Sequence, residues 1–237
     1  MNFIDHTQRP KLTPRPQEPS APPWAVDGEE LLLSKVGSVK AALTGSVASG
    51  KSTVAALLAA FGADIIDFDI LARDSLAPQT EELFRVAQLF GPKCLNQDHS
   101  LNRTYVGQII FKDRAKRLAL EAIVHPKCWL MMLEKLKSLS LSPLVVIDVP
   151  LLFEAALNSL FNPVVLSFAK PERQLQRLME RNPKLGRRQA KRIIESQWPI
   201  SQKVRLASFI VDNDGSVSYV IEQTKQLYER LINWGHA

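Results

Sequence analysis

Two cysteines and four histidines are the whole supply of the thiolate and imidazole ligands that zinc takes in 237 residues, and neither type stands at a metal-binding spacing. Cys94 and Cys128 lie in unrelated contexts, so no protein-bound zinc is expected, and a reduced cytoplasmic protein with structural thiols is. Long hydrophobic runs are missing too. No stretch approaches the roughly 20 apolar residues that cross a bilayer, so no membrane partner is expected, and no internal repeat suggests a solenoid. With 46% hydrophobic and 23% charged residues, the composition is that of an ordinary globular domain.

Proline is abundant in one place only. Pro10, Pro14, Pro16, Pro19, Pro22 and Pro23 crowd residues 1–38, where they break helices and central strands. This segment reads as a disordered extension, and the folded pattern begins near Val39. A net charge of +6 and a pI near 9.4 suit phosphate-rich ligands and equally nucleic acid.

From Val39 on, strand-like and helical stretches alternate. Strands are predicted at Val39–Leu43, Asp64–Asp67, Leu144–Asp148, Val164–Phe168 and Phe209–Val211. Helices are predicted near Ser52–Phe61, Thr80–Phe90, Tyr105–Phe111, Asp113–Leu139, Pro171–Arg181, Arg187–Gln197 and Val217–Asn233. Strands such as Leu144-Val145-Val146-Ile147 are apolar on both faces, as buried parallel strands are. The alternation predicts an α/β fold of three layers, a parallel sheet with helices on both faces. The long helical gap, about residues 70–142, reads as a substrate-side insertion.

One motif carries chemistry by itself. Gly45-Ser46-Val47-Ala48-Ser49-Gly50-Lys51-Ser52 satisfies G-x-x-x-x-G-K-[ST] between a predicted strand and a predicted helix. That is the context of a phosphate loop. Loop amides and the helix dipole face anionic oxygens. Lys51 reaches the β- and γ-phosphates, and the Ser52 hydroxyl suits Mg²⁺. The chain handles a nucleoside triphosphate on this reading, with ATP and Mg²⁺ expected.

Three further groups gain meaning from that loop. Asp148 ends an apolar strand, where such enzymes hold Mg²⁺, although an ordinary strand-terminal aspartate looks the same. Ile65-Ile66-Asp67-Phe68-Asp69 delivers two carboxylates to the strand ends. One could orient and deprotonate an acceptor hydroxyl, and either could cap a helix through Ile70–Arg73. Arg173, Arg177, Arg181, Arg187, Arg188 and Arg192 form a basic helical pair. It reads either as a lid over ATP, about residues 177–197, or as a solvated or nucleic-acid-binding face.

Taken together, the ordered motifs resemble the dephospho-CoA kinase family over nearly all of Val39–Asn233. They are Gly45–Thr53, Ile66–Arg73, Phe90-Gly91, Leu101-Asn102-Arg103, Ile110-Phe111, His125-Pro126 and Asp148-Val149-Pro150-Leu151-Leu152-Phe153-Glu154. Arg177, Arg181, Arg192-Ile193, Gln197, Lys203 and Asn213-Asp214-Gly215 follow. The resemblance implies a P-loop nucleoside-kinase-like fold and ATP-dependent phosphorylation of the ribose 3′-hydroxyl of dephospho-CoA. It implies Asp69 as general base, and it leaves Lys51, Ser52 and Asp148 in their phosphate and Mg²⁺ roles. Arg181, supported by Arg177, would be the lid arginine at the ATP phosphates. Asn213 and Gly215 would lie by the adenine, and Arg73, Arg103, His125 and Glu154 on the acceptor side. Dephospho-CoA is then the partner, with nucleic acid excluded and a monomer favoured.

The chain departs from the family where Ser46 and Ala48 replace loop glycines, where His99-Ser100 replaces Asp-Gly, and where Ala207-Ser208 replaces Ala-Asp. The lid is slightly long. A Cβ at position 46 or 48 narrows the loop if the backbone there needs positive φ. No proposed catalytic group is lost, so activity is expected. The competing readings are a kinase for another nucleoside or nucleotide, and a catalytically silent nucleotide- or nucleic-acid-binding protein.

Overall fold

Five strands form one sheet in the order β2-β3-β1-β4-β5: β1 Val39–Gly45, β2 Asp64–Asp67, β3 Leu144–Asp148, β4 Val164–Phe168 and β5 Phe209–Asp212. The computed structural model describes residues 21–25, 32 and 39–234. Apart from 21–25 and 32, the Pro-rich segment lies outside the described residues. Strand β1 pairs in parallel with β3 and β4, and β4 pairs in parallel with β5. Every residue of β3 is buried, which its unbroken apolar run anticipates.

The described residues divide into two compact units, one holding the chain up to Ile66 and from Leu139, the other spanning Asp67–Ser138. In the first unit, α1 (Lys51–Ala60) and α9 (Val217–Ile232) share a core with the sheet. Val54 and Leu58 of α1 and Val220, Leu227 and Leu231 of α9 pack with Leu43, Val146, Val165 and Val211. The same unit carries α6 (Pro171–Arg181), α7 (Arg187–Glu195) and α8 (Ile200–Leu206). Helix α8 was not foreseen. Its seven residues bury Lys203, a polar side chain that no amphipathic pattern would assign to a core.

The second unit is helical: α2 (Phe68–Asp74), α3 (Glu81–Phe90), α4 (Arg103–Lys112) and α5 (Arg114–Ser138). Helix α5 packs against the other three, burying Val124, Cys128, Trp129, Met132 and Leu136. Thr80 caps α3 and Asn102 caps α4, each accepting an amide three residues on, so α4 begins two residues earlier than expected. Asn102 is one of the short polar side chains that make good helix starts.

Register sets the functional end of the sheet. Leu43 pairs with Asp148, and Gly45 with Ser167. Both partners therefore stand beside the point where β1 turns into the glycine-rich loop. In open parallel sheets, ligands bind beyond such strand ends, where neighbouring connections leave in opposite directions.

Candidate active site

The loop from Gly45 to Gly50 is shaped by close approaches. A Cβ on Gly45 would lie 2.5 Å from Ser49 Oγ and 2.9 Å from the Ser167 carbonyl oxygen. Gly50 sits at φ 90°, and a Cβ there would meet the Asn213 side chain at 3.0 Å. Gly50 also opens α1 without any side-chain cap bond. A helix start with no side-chain cap is the arrangement that anions seek.

Of the two replaced glycines, only one stands in the left-handed region. Ala48 has φ 58°, whereas Ser46 is not among the positive-φ residues. Ala48 is buried and packs with Leu178 of α6 and Ala190 of α7, flanked by Val47, Leu175, Met179, Leu185, Ile193 and Ile194. The two basic helices therefore seat an apolar face on the phosphate loop, while Arg173, Arg181, Arg187, Arg188 and Arg192 remain exposed.

Lys51 pairs with Asp148, its Nζ donating to Oδ1. Asp148 is buried at the end of β3, where a lone carboxylate would be costly, and Lys51 from the first turn of α1 supplies the counter-charge. Ser52 and Thr53 follow, exposed in the same turn. The Ser52 hydroxyl and Asp148 carboxylate are hard oxygen donors, a set that suits Mg²⁺.

A buried polar chain braces the loop from the β5 side. Asn213 Nδ2 donates to Ser167 Oγ at 2.8 Å, and Ser167 Oγ donates to the Ser49 carbonyl at 3.2 Å. Arg177 Nη2 reaches the Asn213 carbonyl at 2.7 Å, while its Nη1 is buried with no hydrogen-bond partner. Sequence reading missed Ser167. The available signal was a hydroxyl inside Val164-Val165-Leu166-Ser167-Phe168. Gly215 is exposed in the turn after β5, and a Cβ on it would meet the Tyr219 ring at 2.5 Å.

In the first unit, Glu154 is also engaged. Its Oε1 accepts Trp198 N–H at 2.9 Å and lies 2.7 Å from Lys203 Nζ. Gln197 Oε1 accepts the Val47 amide of the loop at 2.8 Å, a link absent from the sequence reading.

In the second unit, the two carboxylates where β2 runs into α2 separate by task. Asp67 Oδ1 accepts the amides of Asp69 at 2.7 Å and Ile70 at 3.2 Å, so Asp67 is the helix cap. Asp69 occupies the first turn of α2 and is exposed, as is Arg73 in its last turn. Arg103 opens α4, exposed, and His125 lies half-buried in α5. Burial pushes the His125 imidazole below its usual range, and the Glu121 carboxylate pulls the other way. Burial pushes the Cys128 thiol up to about 11, against a Ser75 hydrogen bond that lowers it.

The family pattern described as dephospho-CoA kinase matches residues 39–218. The chain belongs to the dephospho-CoA kinase family. A dephospho-CoA kinase of Listeria monocytogenes is 42% identical over 192 residues, covering 80% of this chain and 96% of that protein. One from Carboxydothermus hydrogenoformans is 39% identical over 190 residues, covering 79% and 92%. The solved dephospho-CoA kinase from Campylobacter jejuni superposes with a TM-score of 0.63 at 26% identity, covering 83% of this chain and 98% of that one. Among the described residues of this dephospho-CoA kinase family member, no helix is long and apolar enough to cross a membrane.

Proposed function

We propose that this chain transfers the γ-phosphoryl group of ATP to the ribose 3′-hydroxyl of dephospho-CoA, giving CoA and ADP. The observation that carries the reading is the Leu43–Asp148 register, which sets a buried carboxylate and Lys51 together at the mouth of a complete phosphate loop. Family membership supplies the acceptor.

In this reading the loop amides and the open N-terminus of α1 bind the triphosphate. The Lys51 ammonium offsets the charge that builds on the β- and γ-phosphates. Arg181 adds a second positive group from the lid, with Arg177 holding Asn213 beside the loop and Gly215 in the adenine-side turn. Asp69 orients the acceptor hydroxyl and takes its proton as the oxygen attacks the γ-phosphorus. The bond to the β–γ bridging oxygen then breaks, and ADP leaves. Arg73, Arg103 and His125 serve the acceptor. Ser52 and Asp148 would hold Mg²⁺, which when bound neutralises phosphate charge. The protein acts as a cytoplasmic monomer on this reading; free Cys94 and Cys128 accord with a reducing compartment.

The test incubates the chain with Mg²⁺-ATP and, separately, dephospho-CoA, AMP and uridine, reading products by mass. ADP formed only with dephospho-CoA, beside a product one phosphoryl group heavier, is expected. Turnover of AMP or uridine alone would assign another acceptor. Salt-sensitive RNA binding without ATP consumption would replace catalysis by nucleic-acid binding.

A further inference from the structure

Where the lid returns to the sheet, two consecutive residues are pinned to two different parts of the site. Gln197, just past α7, takes the Val47 N–H of the phosphate loop on its Oε1 at 2.8 Å. Trp198 gives its N–H to Glu154 Oε1 at 2.9 Å. That same oxygen lies 2.7 Å from Nζ of Lys203, a residue of α8 that is 0% exposed. The second oxygen, Oε2, is buried with no hydrogen-bond partner.

Glu154 therefore has little freedom. A fully buried ammonium needs its counter-charge, and losing it would leave an uncompensated charge in the interior. The Trp198 amide adds a charge-assisted bond to the same oxygen. Because Gln197 and Trp198 share a peptide unit, their Cα atoms are held about 3.8 Å apart, and whatever shifts Trp198 shifts Gln197. Gln197 in turn fixes the orientation of one loop amide, in a loop whose amides are its means of binding phosphate.

We propose that Glu154 is a positioning residue rather than an acceptor ligand. With Lys203 it fixes the lid exit, so that Gln197 holds the Val47 amide and the lid stays in register with the phosphate loop. The proposal rests on the phosphoryl-transfer reading of the loop, and is independent of which acceptor the enzyme uses.

The experiment compares the full-length chain with Glu154→Gln, Gln197→Met and the double variant. One arm measures turnover of dephospho-CoA. The other follows trypsin cleavage at the exposed lid sites Arg187 and Arg188, with and without a nonhydrolysable ATP analogue. Each single variant should lower kcat about 100-fold, the scale of a small misplacement at a reacting centre. The KM for dephospho-CoA should stay within about twofold of wild type. Nucleotide protection of the lid should vanish, and the double variant should fall no further than the worse single one, because both act through one device.

A rise of about tenfold in the dephospho-CoA KM of Glu154→Gln, with kcat and lid protection retained, would make it an acceptor ligand and overturn the proposal. Losses that multiply in the double variant would do the same. If Glu154→Gln fails to fold around the stranded Lys203, Gln197→Met decides alone, since it leaves no buried charge. Unchanged kcat and protection in that variant would sink the idea. Should wild type protect its lid but not turn over dephospho-CoA, the acceptor assignment fails; loss of protection in the variants would still support the positioning role.

Discussion

Arg177 on α6 and Asn213 after β5 are joined by a 2.7 Å bond from Nη2 to the main-chain oxygen. Helix α6 thereby grips the turn whose side chain supports the phosphate loop through Ser167. A hydrogen bond to a charged group is worth about 2 kcal/mol. Arg177→Ala should accordingly weaken ATP binding about 30-fold, while the dephospho-CoA KM stays close to wild type. Calorimetric titration of ATP checks the first half, and steady-state kinetics the second.

Ala48 combines a left-handed backbone with a buried methyl. Replacement by glycine removes roughly 1 kcal/mol of backbone strain but loses about 0.8 kcal/mol of apolar burial. These nearly cancel, so Ala48→Gly should leave the urea midpoint almost unmoved. Ala48→Val should be worse by about 2 kcal/mol, because a β-branched side chain fits neither that φ nor the Leu178–Ala190 contact. Equal stability of the two variants would contradict the contact.

Asp69 and Lys51 should fail in different ways. On the proposed mechanism Asp69→Asn removes the proton acceptor, so kcat should fall by about 10² to 10⁴ with ATP affinity kept. Lys51→Ala removes charge stabilisation at the phosphates and frees Asp148 of its counter-charge, so most turnover should disappear. Single-turnover kinetics with measured ATP affinity separate the two.

Arg181 ends α6 with an exposed side chain. On the proposed role at the ATP phosphates, replacement of Arg181 by alanine should cost on the order of 10³-fold in kcat. Arg173→Ala, about two turns nearer the N-terminus of the same helix, should cost little. Similar small losses in both would leave the pair a solvated basic surface.

His125 predicts a pH dependence with a definite sign. Burial lowers its folded-state value below the unfolded one near 6.5, so the unfolded chain binds the proton more readily. The stabilising contribution is present above about pH 6.5 and is lost as pH falls through the folded value. Thermal melts from pH 8 down to 5 should show a decline that is shallower in His125→Gln. Parallel curves would mean that the imidazole does not contribute.

How much of this was legible in the sequence differed by the range of the interaction. Leu144–Asp148 was bounded correctly because a buried parallel strand announces itself as an unbroken apolar run ending at a polar residue, and Val164–Phe168 because its apolar residues outweigh the one hydroxyl of Ser167. The phosphate loop was legible because its function demands glycines and a lysine at fixed offsets. Helix α8 was not, being seven residues long after Pro199, with Lys203 turned inward. The choice between Asp67 and Asp69 as cap also needed coordinates, since both stand at the start of α2. Least visible were the ties that close the site. The Gln197–Val47 bond spans 150 positions, and no periodicity along the chain reports it.

Gly50 starts α1 and contributes no side chain to cap it. The helix is finished by whatever oxygens enter the loop, so the substrate serves as a removable part of the fold. Loading at about 100 times Kd adds about 2.7 kcal/mol to the folded state, and product departure withdraws it. Each catalytic cycle is thus also a cycle of tightening and loosening of the scaffold, and a cell starved of ATP would hold this enzyme in its more fragile form.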